Sequence, residues 1–274
     1  MKVTFYGTRG SIPICDKEFQ QFGGNTTCIQ LKTDNKDVVG IFDAGTGIRK
    51  LGMDIYKDRD SLPKDFFIVF SHFHWDHIQG FPFFDPAYDK NMEITFVAMG
   101  KDRNITDLKE VLGLQMKNLY FPVQLENMGA KFHFVLPDKM TSYFNVTKVT
   151  SIKQNHPGGS YGYRIEREGK VLVICTDLEH ADGIDQNVVD LAKGADLLIH
   201  EAQYTSEQLK KYKGWGHSSY EQAIQVAEMA GVKQLALTHH DPNHDDDFLK
   251  KMEKQCQDRF PDCVLARENM EFTL

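Results

Sequence analysis

Residues Ser71–Gly80 read SHFHWDHIQG and put three histidines and an aspartate into six consecutive positions, in a chain whose 274 residues hold only 11 histidines. The run before them, FFIVFS (Phe66–Ser71), is apolar and suits a buried strand, so the polar cluster begins where a strand ends. His72 and His74 alternate, and on extended backbone their rings point the same way. Asp76 and His77 follow where DHIQG can turn into a helix. The two pairs then face neighbouring points in space. Imidazole and carboxylate are the ligands that zinc, manganese and iron share, and no thiolate is offered. Burying so many polar rings together without a cation would leave them underbonded. A metal site is the expectation.

Other ligands must come from distant segments. His156 in QNHPGG, Asp177 at the end of VLVICTD and His239 in QLALTHH each follow an apolar strand, and a carboxylate at Asp177 could bridge two cations. A lone histidine at a strand end is more often a hydrogen-bonded structural residue, and His133, His180 and His244 are read that way. His240 has no role derivable from the sequence, Asp241 or solvent being its available partners. DAGTG (Asp43–Gly47) lacks the lysine and spacing of a phosphate loop. It reads as a tight strand-to-helix turn, with Asp43 expected to hydrogen-bond a metal-ligating histidine.

The totals narrow the class. Hydrophobic residues at 41% and charged residues at 26% are ordinary for a soluble enzyme. No run of 18 apolar residues offers a membrane span. The opening MKVTFYGTRGSIP has no signal-peptide pattern. Five scattered cysteines with no C-x-x-C pair argue against a disulfide framework and point to a reducing cytoplasm. A net charge of −7 argues against a large nucleic-acid partner and suits a small anion drawn to a bound cation.

Along the chain, short β-branched and aromatic runs recur, among them Lys2–Tyr6, Val38–Asp43, Phe144–Thr150, Tyr161–Glu166 and Leu197–Glu201. Helices are expected over Ile105–Met116, over Ser218–Gly231 with a Ser218/Glu221 capping box and a glycine stop, and after the aspartates of DDDFLKK. Strands, helix, strands, helix, twice over, divide the chain into β-rich halves of roughly 1–137 and 138–274. Two packed sheets with helices outside would suit that order.

H-x-H-x-D-H after a buried strand, with His156, Asp177 and His239 at later strand ends, resembles the metallo-β-lactamase fold across essentially the whole chain. The resemblance implies an α/β protein: a four-layer αβ/βα sandwich of two mixed β-sheets flanked by helices, one domain over residues 1–274. It also implies two divalent metal ions, zinc first with manganese or iron as alternatives. One would take His72, His74 and His156, the other Asp76, His77 and His239, with Asp177 bridging.

LLIHEAQY, with Glu201, GWGHSSYEQA, with His217, and SYGYRIE are similar to the ribonuclease Z-like phosphodiesterase branch. There the resemblance implies that the histidine contacts the scissile phosphate and the glutamate supports it. A hydroxide bridging the metals, oriented by Asp76, would attack, and His217 would assist the leaving group. The branch's basic, Gly/Pro-rich tRNA-gripping arm has no counterpart between His77 and His156. The expected substrate is therefore a small phosphodiester such as a cyclic nucleotide. The alternatives are tRNA 3′ endonuclease activity, or a thioesterase or lactonase on the same fold. Phe73, Trp75, Phe81, Phe83, Phe84 and Trp215 are candidates to stack a purine. GFPFF reads equally as core or dimer surface, and a homodimer is expected from the family.

Overall fold

Short apolar runs become the strands of two mixed sheets. The computed structural model describes residues 1–57, 62–97, 105–136, 141, 146 and 148–274. The first sheet contains β1 (Lys2–Gly7), β2 (Cys28–Lys32), β3 (Val38–Phe42), β4 (Asp65–Val69), β5 (Glu93–Val97), β6 (Lys131–Val135) and β13 (Glu271–Thr273). Its order is β13-β1-β2-β3-β4-β5-β6, antiparallel up to β3 and parallel beyond it. The second sheet contains β7 (Lys148–Gln154), β8 (Ser160–Arg167), β9 (Lys170–Cys175), β10 (Leu197–Glu201), β11 (Leu235–Thr238) and β12 (Cys263–Leu265). There β12-β11-β10-β9 run parallel and β9-β8-β7 antiparallel.

Side-chain alternation builds the layers. Leu172, Ile174, Leu197 and Ile199 enter the core shared with the first sheet, while Val173, Cys175 and Leu198 enter the core beneath the helices of the second. Those helices are α4 (Gln186–Ala192), α6 (Tyr220–Ala230) and α7 (Asp246–Arg259). On the far side α1 (Gly47–Ile55) buries Ile48, Leu51 and Ile55 on the first sheet, and α3 (Ile105–Gln115) packs there too. Two short helices, α2 (Trp75–Ile78) and α5 (Ser206–Lys211), complete the described α-helices. Helices, sheet, sheet, helices: the four-layer α/β sandwich expected from the sequence is the observed architecture. Among the described residues no helix is long and apolar enough to cross a membrane.

Two local expectations change. The capping box of α6 is Ser219 with Gln222, not Ser218 with Glu221, because Ser218 already donates its N–H to Glu201 and its hydroxyl to Leu178 O. The glycine stop is as expected, Gly231 sitting at φ 62°. β13 pairs with β1, so the first sheet uses both ends of the chain rather than residues 1–137 alone. The boundary at 137/138 and Phe144, Asn145 and Thr147 of the expected Phe144–Thr150 strand lie outside the described residues.

His180 and His200 are buried away from the cluster, their rings 5.7 Å apart. His200 Nδ1 donates to Glu201 O at 2.5 Å, and His180 Nδ1 accepts from Asp185 N at 3.1 Å. Burial pushes both rings down to about 4. Each folded value lies below that of the unfolded chain. The stability they carry is therefore complete above about pH 6.5, and is lost as pH falls from there through 4. Denaturant titrations should show a loss of about 3 kcal/mol per ring across that window. His200→Asn should flatten the dependence; an unchanged profile would refute it.

Candidate metal centre

Ligand sites gather at the carboxyl ends of parallel strands, and here both sheets aim those ends at one place. Asp43 follows β3, His72 follows β4, Asp177 follows β9, Glu201 ends β10 and His239 follows β11. Asp43, Asp177 and His239 all turn through left-handed backbone, at φ 61°, 54° and 61°. Such residues are uncommon outside glycine and cost roughly 1–3 kcal/mol each, and they concentrate at functional sites. The turn swings each side chain inward from its strand. His74 keeps extended backbone at ψ 154°, and the single turn of α2 then folds Asp76 and His77 back beneath it.

Two donor sets result. Donor atoms of His72, His74 and His156 lie within 4.8 Å of one another, as do those of Asp76, His77, Asp177 and His239. In the first, His74 Nδ1 is 3.0 Å from His156 Nε2. In the second, His239 Nε2 is 3.1 Å from Asp76 Oδ2, and His77 Nε2 is 3.1 Å from Asp177 Oδ2. Asp177 stands between the sets. Its Oδ1 is 3.3 Å from His239 Nε2 and 3.8 Å from both His72 Nε2 and His156 Nε2. The seven residues expected to hold metal are together.

The outer edges of three of the rings are tied down. His77 Nδ1 donates to Asp43 Oδ2 at 2.8 Å, His156 Nδ1 to Gly216 O at 2.8 Å and His239 Nδ1 to Gln203 Oε1 at 3.0 Å. Asp43 also accepts from the backbone and hydroxyl of Ser71, at 2.7 and 2.8 Å. These partners fix the tautomer and leave Nε2 facing inward, the arrangement in which histidine ligates a metal. His72 Nε2 is buried with no hydrogen-bond partner, and Asp177 Oδ2 is buried with no aligned hydrogen bond, only the ion-pair approach of His77. Buried polar atoms normally have a hydrogen-bond partner, so this inward-facing imidazole and carboxylate set fits a divalent cation.

Electrostatics at every ligand candidate with a resolved shift except His77 agree with that fit. Burial pushes the pKa of His72, His74 and His156 down, keeping them in the neutral form that binds metal. Burial works against the charges on Asp76 and Asp177, but the surrounding histidines outweigh it and hold both well below the usual carboxylate range. His77 is driven the other way: against its burial, Asp177, Asp76 and Asp43 raise it well above the ordinary value.

His217 is 8% exposed, with Nδ1 3.4 Å from Glu201 Oε1 and 3.9 Å from Asp177 Oδ1. Those are ion-pair separations, and Nδ1 has no aligned hydrogen bond. Burial opposes charge on the ring; Glu201, with Asp177 and Asp76 behind it, prevails and raises its pKa. Glu201 does more than face His217. Its carboxylate accepts from the backbone of Leu178, Ser218 and Gln203, at 3.1, 2.8 and 3.1 Å, stitching three loops together.

Sequence reasoning missed Glu179 and Gln203. The Glu179 carboxylate accepts from Gly214 N and Gly216 N, clamping the GWG turn that leads into His217. The two glycines around Trp215 were the available signal, both at positive φ. A Cβ on Gly216 would lie 2.2 Å from His156 Nδ1, at φ 90°. Gly216→Ala should therefore destabilise the fold by about 1–3 kcal/mol and weaken metal uptake. Thermal melts and metal analysis check this, and wild-type behaviour in both would refute it.

Outside the cluster some expectations hold and others are revised. His240 Nε2 donates to Ala266 O at 2.9 Å and the ring packs edge-on to Phe22, while its Nδ1 is buried with no hydrogen-bond partner. His133, His180 and His244 sit outside the cluster with partners of their own. Phe81 and Phe84 are core residues, completely buried, so neither can stack a ligand. Phe73 is half-buried against the core, while Phe83, Trp75 and Trp215 are exposed.

A family profile described as a beta-lactamase superfamily domain matches residues 41–240. The sequence is 25% identical to a protein named ribonuclease Z from Picrophilus torridus, over 100% of this chain and 96% of that one. The metallo-β-lactamase fold protein YhfI from Bacillus subtilis superposes with a TM-score of 0.70 at 20% identity, covering 99% of this chain and 98% of that one. The short form of human tRNase Z superposes with a TM-score of 0.63 at 22% identity, covering 100% and 99%. The profile match begins inside β3 and runs to His240, spanning every strand end that contributes to the cluster; the chain belongs to the β-lactamase superfamily and is a metal-dependent hydrolase.

Proposed function

We propose that the protein hydrolyses a small phosphodiester, a cyclic nucleotide first among them, at a centre holding two divalent cations, with zinc the leading metal and manganese or iron the alternatives. One observation carries the reading: the Asp177 carboxylate lies between two histidine-rich donor sets, with the His217–Glu201 pair beside it. His72, His74 and His156 would hold one cation, Asp76, His77 and His239 the other, and Asp177 would join them. When bound, such cations polarise phosphoryl oxygens and acidify water toward neutrality.

The chain's own residues do the rest. Asp76 and Asp177 stay ionised and gather the positive charge. Asp76, at the foot of the cluster, orients the attacking water. His217 keeps a proton because Glu201 and Asp177 face its Nδ1, which leaves Nε2 to protonate the departing alkoxide. An acyl hydrolase would have less need of that acid. Exposed Trp75 adjoins His74, and exposed Trp215 adjoins Gly216, whose carbonyl accepts from His156 Nδ1. Both suit stacking on a base.

A second reading, tRNA 3′ endonuclease, is favoured by the ribonuclease Z name of the Picrophilus torridus relative. Against it stand the net charge of −7 and an alignment that spans 319 positions for 274 residues here, so segments of that relative have no counterpart in this chain. A cytoplasmic location, suggested by the free cysteines, and a homodimer belong to the same proposal. The test is hydrolysis by zinc- or manganese-loaded protein of 3′,5′- and 2′,3′-cyclic nucleotides, a chromogenic phosphodiester, a thioester and a precursor tRNA. Selective turnover of the cyclic nucleotides supports the first reading. Cleavage of the precursor tRNA alone would replace it with the second, and turnover of the thioester alone would overturn both.

A further inference from the structure

We infer that Arg9–Gly10–Ser11, together with Gln203, forms a positioning strap that sets the geometry of Asp76 and His239. The inference rests on the reading of those two residues as ligands, and it concerns residues outside the motif that suggested the site.

The strap is anchored at one end and aimed at the other. Arg9 is completely buried; its Nε donates to Gly23 O at 2.8 Å, and its Nη1 to Asp241 O and His244 O at 3.0 and 2.7 Å. The guanidinium also lies over the Phe19 ring, 5.0 Å from its centroid. Next to it the backbone is laced to the segment after β11: Gly10 N donates to His240 O at 3.0 Å and His240 N to Thr8 O at 2.9 Å. The strap therefore moves with His239 and His240 as one piece.

Gly10 is pressed against His239. A Cβ there would stand 2.4 Å from His239 Nδ1 and 2.9 Å from Gln203 Oε1, so any larger residue must displace the ring or the amide that holds it. Gln203 in turn accepts from His239 Nδ1 at 3.0 Å, which keeps Nε2 free to face the cluster. Its own backbone N–H is held by Glu201 Oε2 at 3.1 Å.

Ser11 completes the device. It is exposed yet takes left-handed backbone at φ 64°, a conformation serine rarely adopts without cause. The cause is visible: the turn points its N–H at Asp76 Oδ2, 2.7 Å away. That same oxygen is 3.1 Å from His239 Nε2 and 3.4 Å from His77 Nε2. A charge-assisted bond from fixed backbone stops the carboxylate rotating and presents the oxygen at a set angle. Asp76 and His239, 163 positions apart in the chain, are thus oriented by one three-residue segment and one amide.

Partners of this kind typically change metal affinity by roughly 10- to 100-fold when removed. The experiment is zinc binding to metal-stripped protein by chelator competition, with the visible spectrum of the cobalt-substituted protein as a second readout and circular dichroism of the stripped protein as the fold control. Ser11→Pro removes the donor, Gly10→Ala crowds the ring and Gln203→Leu removes the acceptor. Each should weaken one of the two zincs by that factor and shift the cobalt bands, leaving the other unchanged. Ser11→Gly and Ser11→Ala keep the N–H and should bind within about twofold of wild type.

Wild-type affinities and spectra in both Gly10→Ala and Gln203→Leu, with the fold intact, would overturn the strap even if Ser11→Pro fails to fold. So would a loss in Ser11→Ala as large as in Ser11→Pro, since the hydroxyl would then be the active group. Wild-type protein that takes up no zinc would overturn the ligand reading and the strap with it.

Discussion

Asp177→Asn is expected to abolish hydrolysis, lowering kcat/KM by roughly 1,000-fold or more, the scale of losing several kcal/mol of charge stabilisation. The substitution keeps the shape of the side chain and removes one charge. That charge is completely enclosed, with Oδ1 3.3 Å from His239 and Oδ2 3.1 Å from His77. Among the described residues no other carboxylate reaches both donor sets. An amide there presents a neutral oxygen at best, so two cations brought together would face each other without the anion that offsets their repulsion. Metal content should fall along with activity, because affinity follows the number of anionic ligands. The check is paired: steady-state kinetics and elemental analysis of the same preparation. Full metal content with full activity would remove Asp177 from the centre; full metal content with lost activity would make it a participant in the reaction instead of a ligand.

His217→Ala should lower kcat by roughly 100- to 10,000-fold on substrates with an alkoxide leaving group, the usual range for a general acid. KM should change little, since the ring's proposed work is done in the transition state. The same variant should lose far less on a p-nitrophenyl phosphodiester, whose leaving group departs without a proton. The structural reason is the placement of Nδ1 against Glu201 and Asp177, which biases the ring toward its charged form. Equal losses on both substrate types would point to binding of the phosphate in place of proton transfer. No loss on either would leave His217 as a strut of the loop clamped by Glu179.

Much of this site was legible before folding, and for a definite reason. Buried strands announce themselves as apolar runs, and polar residues at the ends of such runs are unusual enough to be noticed one at a time. His72, His74, Asp76 and His77 share one segment, so their spacing alone carries the signal. Asp177 and His239 were readable because each closes its own apolar strand, whereas His156 follows β7, a mostly polar strand, and was readable only from its place just past a strand end. Glu201 and His217 needed the resemblance; nothing in their spacing marks them.

What only the tertiary structure decided lies in single long-range hydrogen bonds. The Ser11 N–H reaching Asp76, Gln203 holding His239 and Glu179 clamping the turn before His217 join segments far apart in the chain. A backbone donor has no residue code, and one glutamine or glutamate in a loop has no periodicity, so neither can be read from a sequence. The left-handed turns at Asp43, Asp177 and His239 are of the same kind, because outside glycine such backbone is imposed by the contacts it serves. Even the cap of α6 moved by one residue because Glu201 had claimed Ser218. The sequence by itself determined which strand-end residues are candidate ligands and the chemistry they offer, since strand ends and side-chain types are local properties. Which nitrogen of each ring faces inward, and what holds it there, was settled only by packing the two sheets together.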